Sequence, residues 1–276
     1  METNNAAEYV IGIDLGGTNA RAVLSRKDGT LLGEVSKPSG SLGPPEGTFD
    51  ILASCVAEVM QLRGVGHAQV AGVGVGLPGI VTSDDRCIWS PNFPHWQDVP
   101  VKILLEERTG LSSFFLNDAR CATLGELHFG AGRGTQSMVF VGLGTGIGGG
   151  IVMDGKLILG QKGSVGEIAH HTIDPSGPQC NCGNFGCWEA FCGRDHIVRR
   201  AIRKLQSGRD SSLVAMDAHV HEITPRAIAT AAEAGDPVAK EVMEEVGFYL
   251  GLGIANLINI LDPERIVVGG GVAQAG

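Results

Sequence analysis

The sequence predicts an α/β protein in two lobes, and three observations carry that expectation. The chain has 276 residues, about twice the usual size of a single domain. Its apolar runs open in the order β-β-β-α-β-α, with hairpin strands and continuous buried strands mixed. A hairpin with a glycine loop at its tip occurs twice, near residue 14 and again near residue 144.

The elements follow in chain order. Val10 to Asp14, Ala20 to Ser25 and Leu31 to Val35 are short apolar runs, and Asp28-Gly29 between the last two is a hairpin signal, so the chain opens as an antiparallel meander. Lys37 to Gly47 is rich in Pro, Gly and Ser and reads as a loop. Phe49 to Arg63 has apolar residues at helical spacing, and Val70 to Val75 is a buried strand running into Gly76-Leu77-Pro78-Gly79. Pro100 to Arg108 is a short helix, Ser113 to Leu116 a strand, and Asp118 to Phe129 a helix with an acidic first residue. A second unit then begins, so the expected lobes are 1–117 and 118–276. Ser137 to Leu143, Ile147 to Met153 and Lys156 to Leu159 are its strands, and 160–192 is an irregular block holding most of the His and Cys. Helices are expected near 193–206, 224–234 and 236–261, and Arg265 to Val268 is the last strand; Ser207 to Glu222 is a polar connection.

Composition narrows the function. Glycine supplies 42 residues with no G-X-Y period, which excludes collagen, and a 43% apolar share excludes a disordered chain. The net charge of −9 is a poor footprint for a nucleic-acid binder. Met1 to Asn5 lacks the basic and apolar stretches of an export signal. The longest apolar stretch, Val246 to Leu261, is short of the roughly 20 residues a membrane span needs and reads as a buried helix. Seven cysteines, three of them in Cys180-x-Cys182-x4-Cys187, point to reduced thiols and a metal rather than disulfides, and so to the cytoplasm.

Four motifs carry the chemistry. In Asp14-Leu15-Gly16-Gly17-Thr18-Asn19 the paired glycines are expected to form an anion-binding nest, with a carboxylate beside it for a hydrated metal. Gly142 to Gly150 contains G-x-G-x-x-G at 144, 146 and 149, but Ile151 to Gly155 reads as a strand and turn. A dinucleotide site needs a helix there, so that fingerprint is rejected. Two such glycine loops suggest a clamp on a polyphosphate, and Gly269-Gly270-Gly271 after the last strand lets a nucleotide approach the backbone. His170 with Cys180, Cys182 and Cys187 makes a closed tetrahedral zinc set of structural type, with His171 as the rival ligand. Asn117-Asp118 stands at a strand–helix junction, where an aspartate serves as a helix cap or as a general base in phosphoryl transfer.

These pieces in this order resemble the ROK family of sugar kinases and repressors, and most closely its bacterial ATP-dependent glucokinases. The resemblance runs from about Tyr9 to the C-terminus. Its most specific stretch is Gly166-Glu167-Ile168-Ala169-His170 followed by Cys180-Asn181-Cys182-Gly183-Asn184-Phe185-Gly186-Cys187-Trp188-Glu189. It implies a two-lobed actin-like ATPase (ribonuclease H-like) fold with a structural zinc loop. It also implies transfer of phosphate from ATP to the 6-hydroxyl of a hexose, with glucose first and an N-acetylhexosamine as the alternative.

By resemblance, Asp14, Gly16, Gly17, Thr18 and Asn19 form the first phosphate loop, with Asp14 near Mg2+. Gly144, Thr145 and Gly146 form the second, and Gly269 to Gly271 the adenosine segment. Asp118 becomes the base, and Gly79, Asn92, Asn117, Glu167, His170 and Glu189 bind sugar. The zinc ligand becomes His170 rather than His171, leaving its other ring nitrogen for a sugar hydroxyl. Arg120 and Trp188 depart from the family pattern and are expected near the sugar pocket. Family members are often dimers and continue past the adenosine segment with a helix that this chain, ending at Gly276, is expected to lack. The family's repressors carry a winged helix-turn-helix ahead of the kinase fold, for which the stretch before Asp14 leaves no room.

Overall fold

The computed structural model describes residues 7–161, 163–214 and 223–275. Among these residues the chain divides into two compact units, Met1–Ala122 with Leu159–Ser164, and Thr123–Ile158 with Val165–Gly276.

The first unit opens as a meander of β1 (Tyr9–Leu15), β2 (Asn19–Arg26) and β3 (Leu31–Pro38). Leu15 pairs with Ala20, so Gly16 to Asn19 is a tight corner between them. Next comes α1 (Pro45–Gln61), four residues earlier than its apolar spacing indicates. Pro45 occupies the first helical position, where its missing N–H costs nothing, so the Pro- and Gly-rich stretch read as loop supplies the first turn. The strand β4 (Val70–Leu77) runs parallel to β1, and β7 (Ser113–Asn117) parallel to β4 after α2 (Val101–Thr109). Sheet order is β3-β2-β1-β4-β7. Phe49, Leu52, Val56 and Val59 of α1 lie in the core with Ile11, Ile13 and Leu24. Phe49 also stacks on Trp96 at 5.4 Å. Burying each such side chain contributes about 1.5–3 kcal/mol. A small ribbon of β5 (Ile80–Val81) and β6 (Cys87–Trp89), absent from the sequence expectation, follows Gly79.

The helix α3 (Asp118–Phe129) begins directly after β7. The boundary between units falls inside it, after Ala122, rather than at residue 117. Its first turn packs on the first sheet, with Cys121 against Gly76. The second unit has β8 (Met138–Leu143), β9 (Ile147–Met153), β10 (Lys156–Leu157) and β11 (Arg265–Gly269) in the order β10-β9-β8-β11. Here too an antiparallel run is followed by a parallel partner, β11 beside β8. Both sheets thus repeat one arrangement: third strand, second, first, then a parallel fourth. Two α/β units with mixed sheets of this kind are consistent with an actin-like ATPase.

Within the block expected to be irregular, a 3-10 turn at Ile168–His170 and α4 (Glu189–Cys192) are formed. After α4 come α5 (Arg194–Gln206), α6 (Pro225–Glu233) and α7 (Pro237–Leu261). Half of the connection at 207–222, residues 215–222, lies outside the described residues. The stretch Val246 to Leu261, read as a buried helix, is the C-terminal part of α7 and buries one face only. Val246, Gly253 and Leu257 are buried, whereas Phe248 is 67% and Ile260 76% exposed. A straight helix beside one layer has a second face that the layer cannot reach. No helix of the described residues is long and apolar enough to cross a membrane.

Candidate active site

Parallel strands end together, and ligands of open α/β sheets gather outside their carboxyl ends. In the first unit β1, β4 and β7 end side by side: Asp14 pairs with Gly76, and Leu77 with Asn117. That register brings Asp14, the corner after it, Gly79, Asn117 and Asp118 to one edge. The Asn117 side-chain amide donates to Gly79 O at 3.2 Å, and its oxygen accepts the Ala119 N–H at 3.0 Å. Asp118 accepts the same N–H at 2.7 Å, so its carboxylate is exposed and held at the start of α3.

Burial, then the Asp118 charge, push Asp14 above its ordinary carboxylate range, while Arg21 pulls it down. Two oxygen-bearing acids this close suit a hard divalent cation, which relieves their repulsion.

The corner Gly16 to Asn19 differs from the expected nest. Neither Gly16 nor Gly17 has a positive φ. Space at 17 is tight, since a Cβ there would sit 3.0 Å from the Asn92 side chain. Asn92 is thereby placed on the corner itself. Ser39, which carries no local sequence signal, pins the corner from behind. Its hydroxyl donates to Gly17 O and its N–H to Thr18 O, each at 2.9 Å, and it is buried. The Gly16 N–H closes onto Asn19 O at 2.9 Å.

The second unit repeats the logic at the ends of β8 and β11. Gly269 pairs with Gly142, and the Val272 N–H donates to Leu143 O, which sets Gly269, Gly270 and Gly271 beside the second glycine loop. That loop closes through Gly144 N–H to Gly146 O at 2.9 Å, with Thr145 at its tip. The Ile147 N–H donates to Glu189 Oε2 at 3.0 Å. A Cβ on Gly146 would sit 2.0 Å from that oxygen, so only glycine admits the carboxylate. Glu189 therefore braces the loop, a link with no counterpart in sequence spacing.

On its other side Glu189 faces the thiol cluster, Oε1 lying 3.5 Å from Cys180 Sγ. The ligand atoms of His170, Cys180, Cys182 and Cys187 all lie within 4.8 Å of one another. His170 Nδ1 is 3.7 Å from Cys180 Sγ, and Cys182 Sγ is 3.7 Å from Cys187 Sγ. A tetrahedron with metal–sulfur bonds of about 2.3 Å has sulfur–sulfur edges of about 3.8 Å, so the donor set is compatible with zinc. His171 is elsewhere: its Nδ1 meets Ile168 O at 2.5 Å and its ring packs on Trp188 at 5.4 Å. Glu167 precedes the 3-10 turn, its carbonyl accepting the His170 N–H at 3.2 Å.

Trp188 does not line this site. It is fully buried, donates its indole N–H to Tyr249 O at 2.9 Å, and fills the space left by Gly253 of α7. Arg120, also expected near the pocket, is a buried residue of the first turn of α3.

Residues 10–276 match the ROK family. The chain belongs to the ROK family. It is 36% identical to a glucokinase of Halalkalibacterium halodurans, over 97% of this chain and 82% of that one. A ROK glucokinase of Streptomyces griseus, solved with glucose and AMPPNP, has a TM-score of 0.81 at 34% identity, covering 97% of this chain and 85% of that one. A xylose repressor of Bacillus subtilis is 28% identical over 99% of this chain and 66% of its own length.

Proposed function

We propose that this ROK protein is an ATP-dependent hexose kinase that phosphorylates the 6-hydroxyl of glucose. The observation that carries the reading is the edge formed by Asp14, Gly79, Asn117 and Asp118 at the ends of β1, β4 and β7, in a chain 36% identical to a glucokinase. Asp118 is exposed and fixed by the Ala119 N–H, so it is free to accept a hydroxyl proton as that oxygen attacks the γ-phosphorus. Asn117 and Gly79 fix the backbone beside it. Asp14 would hold Mg2+, which when bound offsets charge on the phosphates. The corner Gly16 to Asn19, through its Gly17 and Thr18 N–H groups, and the loop Gly144 to Gly146, through those of Thr145 and Gly146, would serve the phosphates, and Gly269 to Gly271 leave room for the adenosine. Glu167, His170 and Glu189 hold ring hydroxyls, because carboxylates accept several donors in a fixed geometry. A zinc ion on His170, Cys180, Cys182 and Cys187 would orient the His170 ring, leaving Nε2 for a hydroxyl.

The test is ADP release from Mg-ATP with glucose, mannose, fructose, N-acetylglucosamine and N-acetylmannosamine. Glucose is expected to give the highest kcat/KM, and Asp118→Asn to lower kcat by about 10²–10⁴. A folded chain that releases no ADP with any of these sugars, or an Asp118→Asn variant of full activity, would sink the reading. The match to a xylose repressor supports a second one, a sugar-binding regulator. It predicts saturable sugar binding without ADP release.

A further inference from the structure

The helix α5 carries an unusual stripe. His196, Arg199, Arg200, Arg203 and Lys204 fall at i, i+3, i+4, i+7 and i+8, which is one helix face. That face lines a cavity of about 760 Å³ in the second unit, closed on another side by Gln179, Cys180 and Asn181 of the thiol loop. The volume lies within the usual range of about 300–1,000 Å³ for small-molecule sites.

Two of the cations are already matched by carboxylates from α7. Arg200 pairs with Glu245 at 3.1 Å, and Lys204 with Glu241 at 2.5 Å and Glu245 at 2.7 Å. Arg199 and Arg203 are exposed and have no ion pair among the described residues. His196 is only 9% exposed, and its Nε2 has no hydrogen-bond partner there; neither does Arg200 Nη1. Burial, then the Arg199 charge, hold His196 below its ordinary range. Like charges four residues apart on a helix repel by about 0.2–0.5 kcal/mol. In a chain of net charge −9 this cluster is a local exception, and two guanidinium forks beside buried donors match a phosphate geometrically.

We propose that this cavity binds a small phosphomonoester of a polyhydroxylated metabolite, clamped by Arg199 and Arg203, and that the bound ester modulates the kinase site. The side-chain amides of Gln179 and Asn181 face the part of the ligand that carries hydroxyls. The connection to the site is short. Ala190 lines the cavity and directly follows Glu189, which braces the second glycine loop. The Arg194 N–H at the start of α5 donates to Gly144 O at 3.2 Å. Modulation rests on the kinase reading; binding in the cavity does not.

The experiment is calorimetric titration of the full chain with glycerol 3-phosphate and with fructose 1,6-bisphosphate, under saturating glucose. One ester per chain is expected, weakened at least tenfold in Arg199→Glu/Arg203→Glu and weakened by added salt. Arg199→Gln/Arg203→Gln is the milder variant should the charge reversal disturb folding. No saturable binding of either ester, or equal binding in the variants, overturns the proposal. Inorganic phosphate binding as tightly as the esters overturns its ester part. ADP release is expected to change at least twofold with ester in the native chain and not in the variant; an unchanged rate removes the modulation. Absence of ADP release with every hexose would count against the kinase reading alone, since the titration reads the cavity directly.

Discussion

Gly146 and Glu189 show how one residue's absence of a side chain becomes another's position. The carboxylate of Glu189 occupies the place a Cβ would take, and from there reaches the Ile147 N–H. Gly146→Ala must push the carboxylate off that N–H. Steady-state kinetics is expected to show kcat/KM for glucose reduced at least tenfold, with metal content unchanged; wild-type kinetics would refute the bracing role. Residues were unevenly legible in the sequence. The thiol set could be read because C-x-C-x4-C is rare among unrelated cysteines, and the structure gathers it with His170. Trp188 could not, because its neighbour Glu189 suggested the sugar pocket while its socket, Gly253, lies 65 residues on. Ser39 could not either: it acts through contacts with Gly17 and Thr18, which only the paired strands bring near.

At the scale of elements, α7 depends on the residue just before it, Asp236. Asp236 caps it by accepting the Ala239 N–H at 2.9 Å, and also accepts the Ser212 N–H and the Ser211 and Ser212 hydroxyls. Burial alone would raise this acid, yet the Ala239 and Ser212 N–H groups and the two hydroxyls outweigh it and bring it to about 2. A carboxylate lowered on folding stabilises the native state above its unfolded pKa, and that contribution disappears as pH falls through the folded value. Stability is therefore expected to drop by about 2 kcal/mol between pH 4 and pH 2 on this account. Denaturant titrations of Asp236→Ala against the native chain check it: the variant should be less stable at pH 7 and lose less on acidification. Elements themselves were mostly legible, since strands and helices follow local periodicity. Their ends were not: α1 starts at Pro45 inside a stretch whose composition says loop. The exposed face of α7 was hidden too, because an all-apolar run gives no sign of which side meets a layer.

For the whole molecule, two cores are separate in sequence. One is built from residues between Ile11 and Phe115, the other from residues between Val139 and Leu257. The thiol cluster lies in the second unit as a small cluster of its own, with Cys180, Cys187 and Ala190 buried together. If the cluster holds zinc as proposed, a strong chelator is expected to lower the thermal transition of the second unit and leave that of the first in place, as followed by calorimetry with metal analysis. A chelator that shifts both equally, or neither, would contradict the assignment of a structural ion there. The duplicated sheet order was only half visible beforehand. The two glycine corners are local and could be seen, whereas the parallel pairing of β11 with β8 joins strands more than a hundred residues apart.

Leu159–Ser164 groups with the first unit although β8 to β10 precede it in the chain. A ribosome delivers these parts in a fixed order, and domains form N-terminal first as they emerge. The first core is complete by Phe115, so it can condense while the rest is still unmade. Gly163 of that segment can reach it only after the opening strands of the second unit have been synthesised. Vectorial synthesis thus lets the first core form before Gly163 can come to lie against Val81, a contact that waits until the second unit has begun.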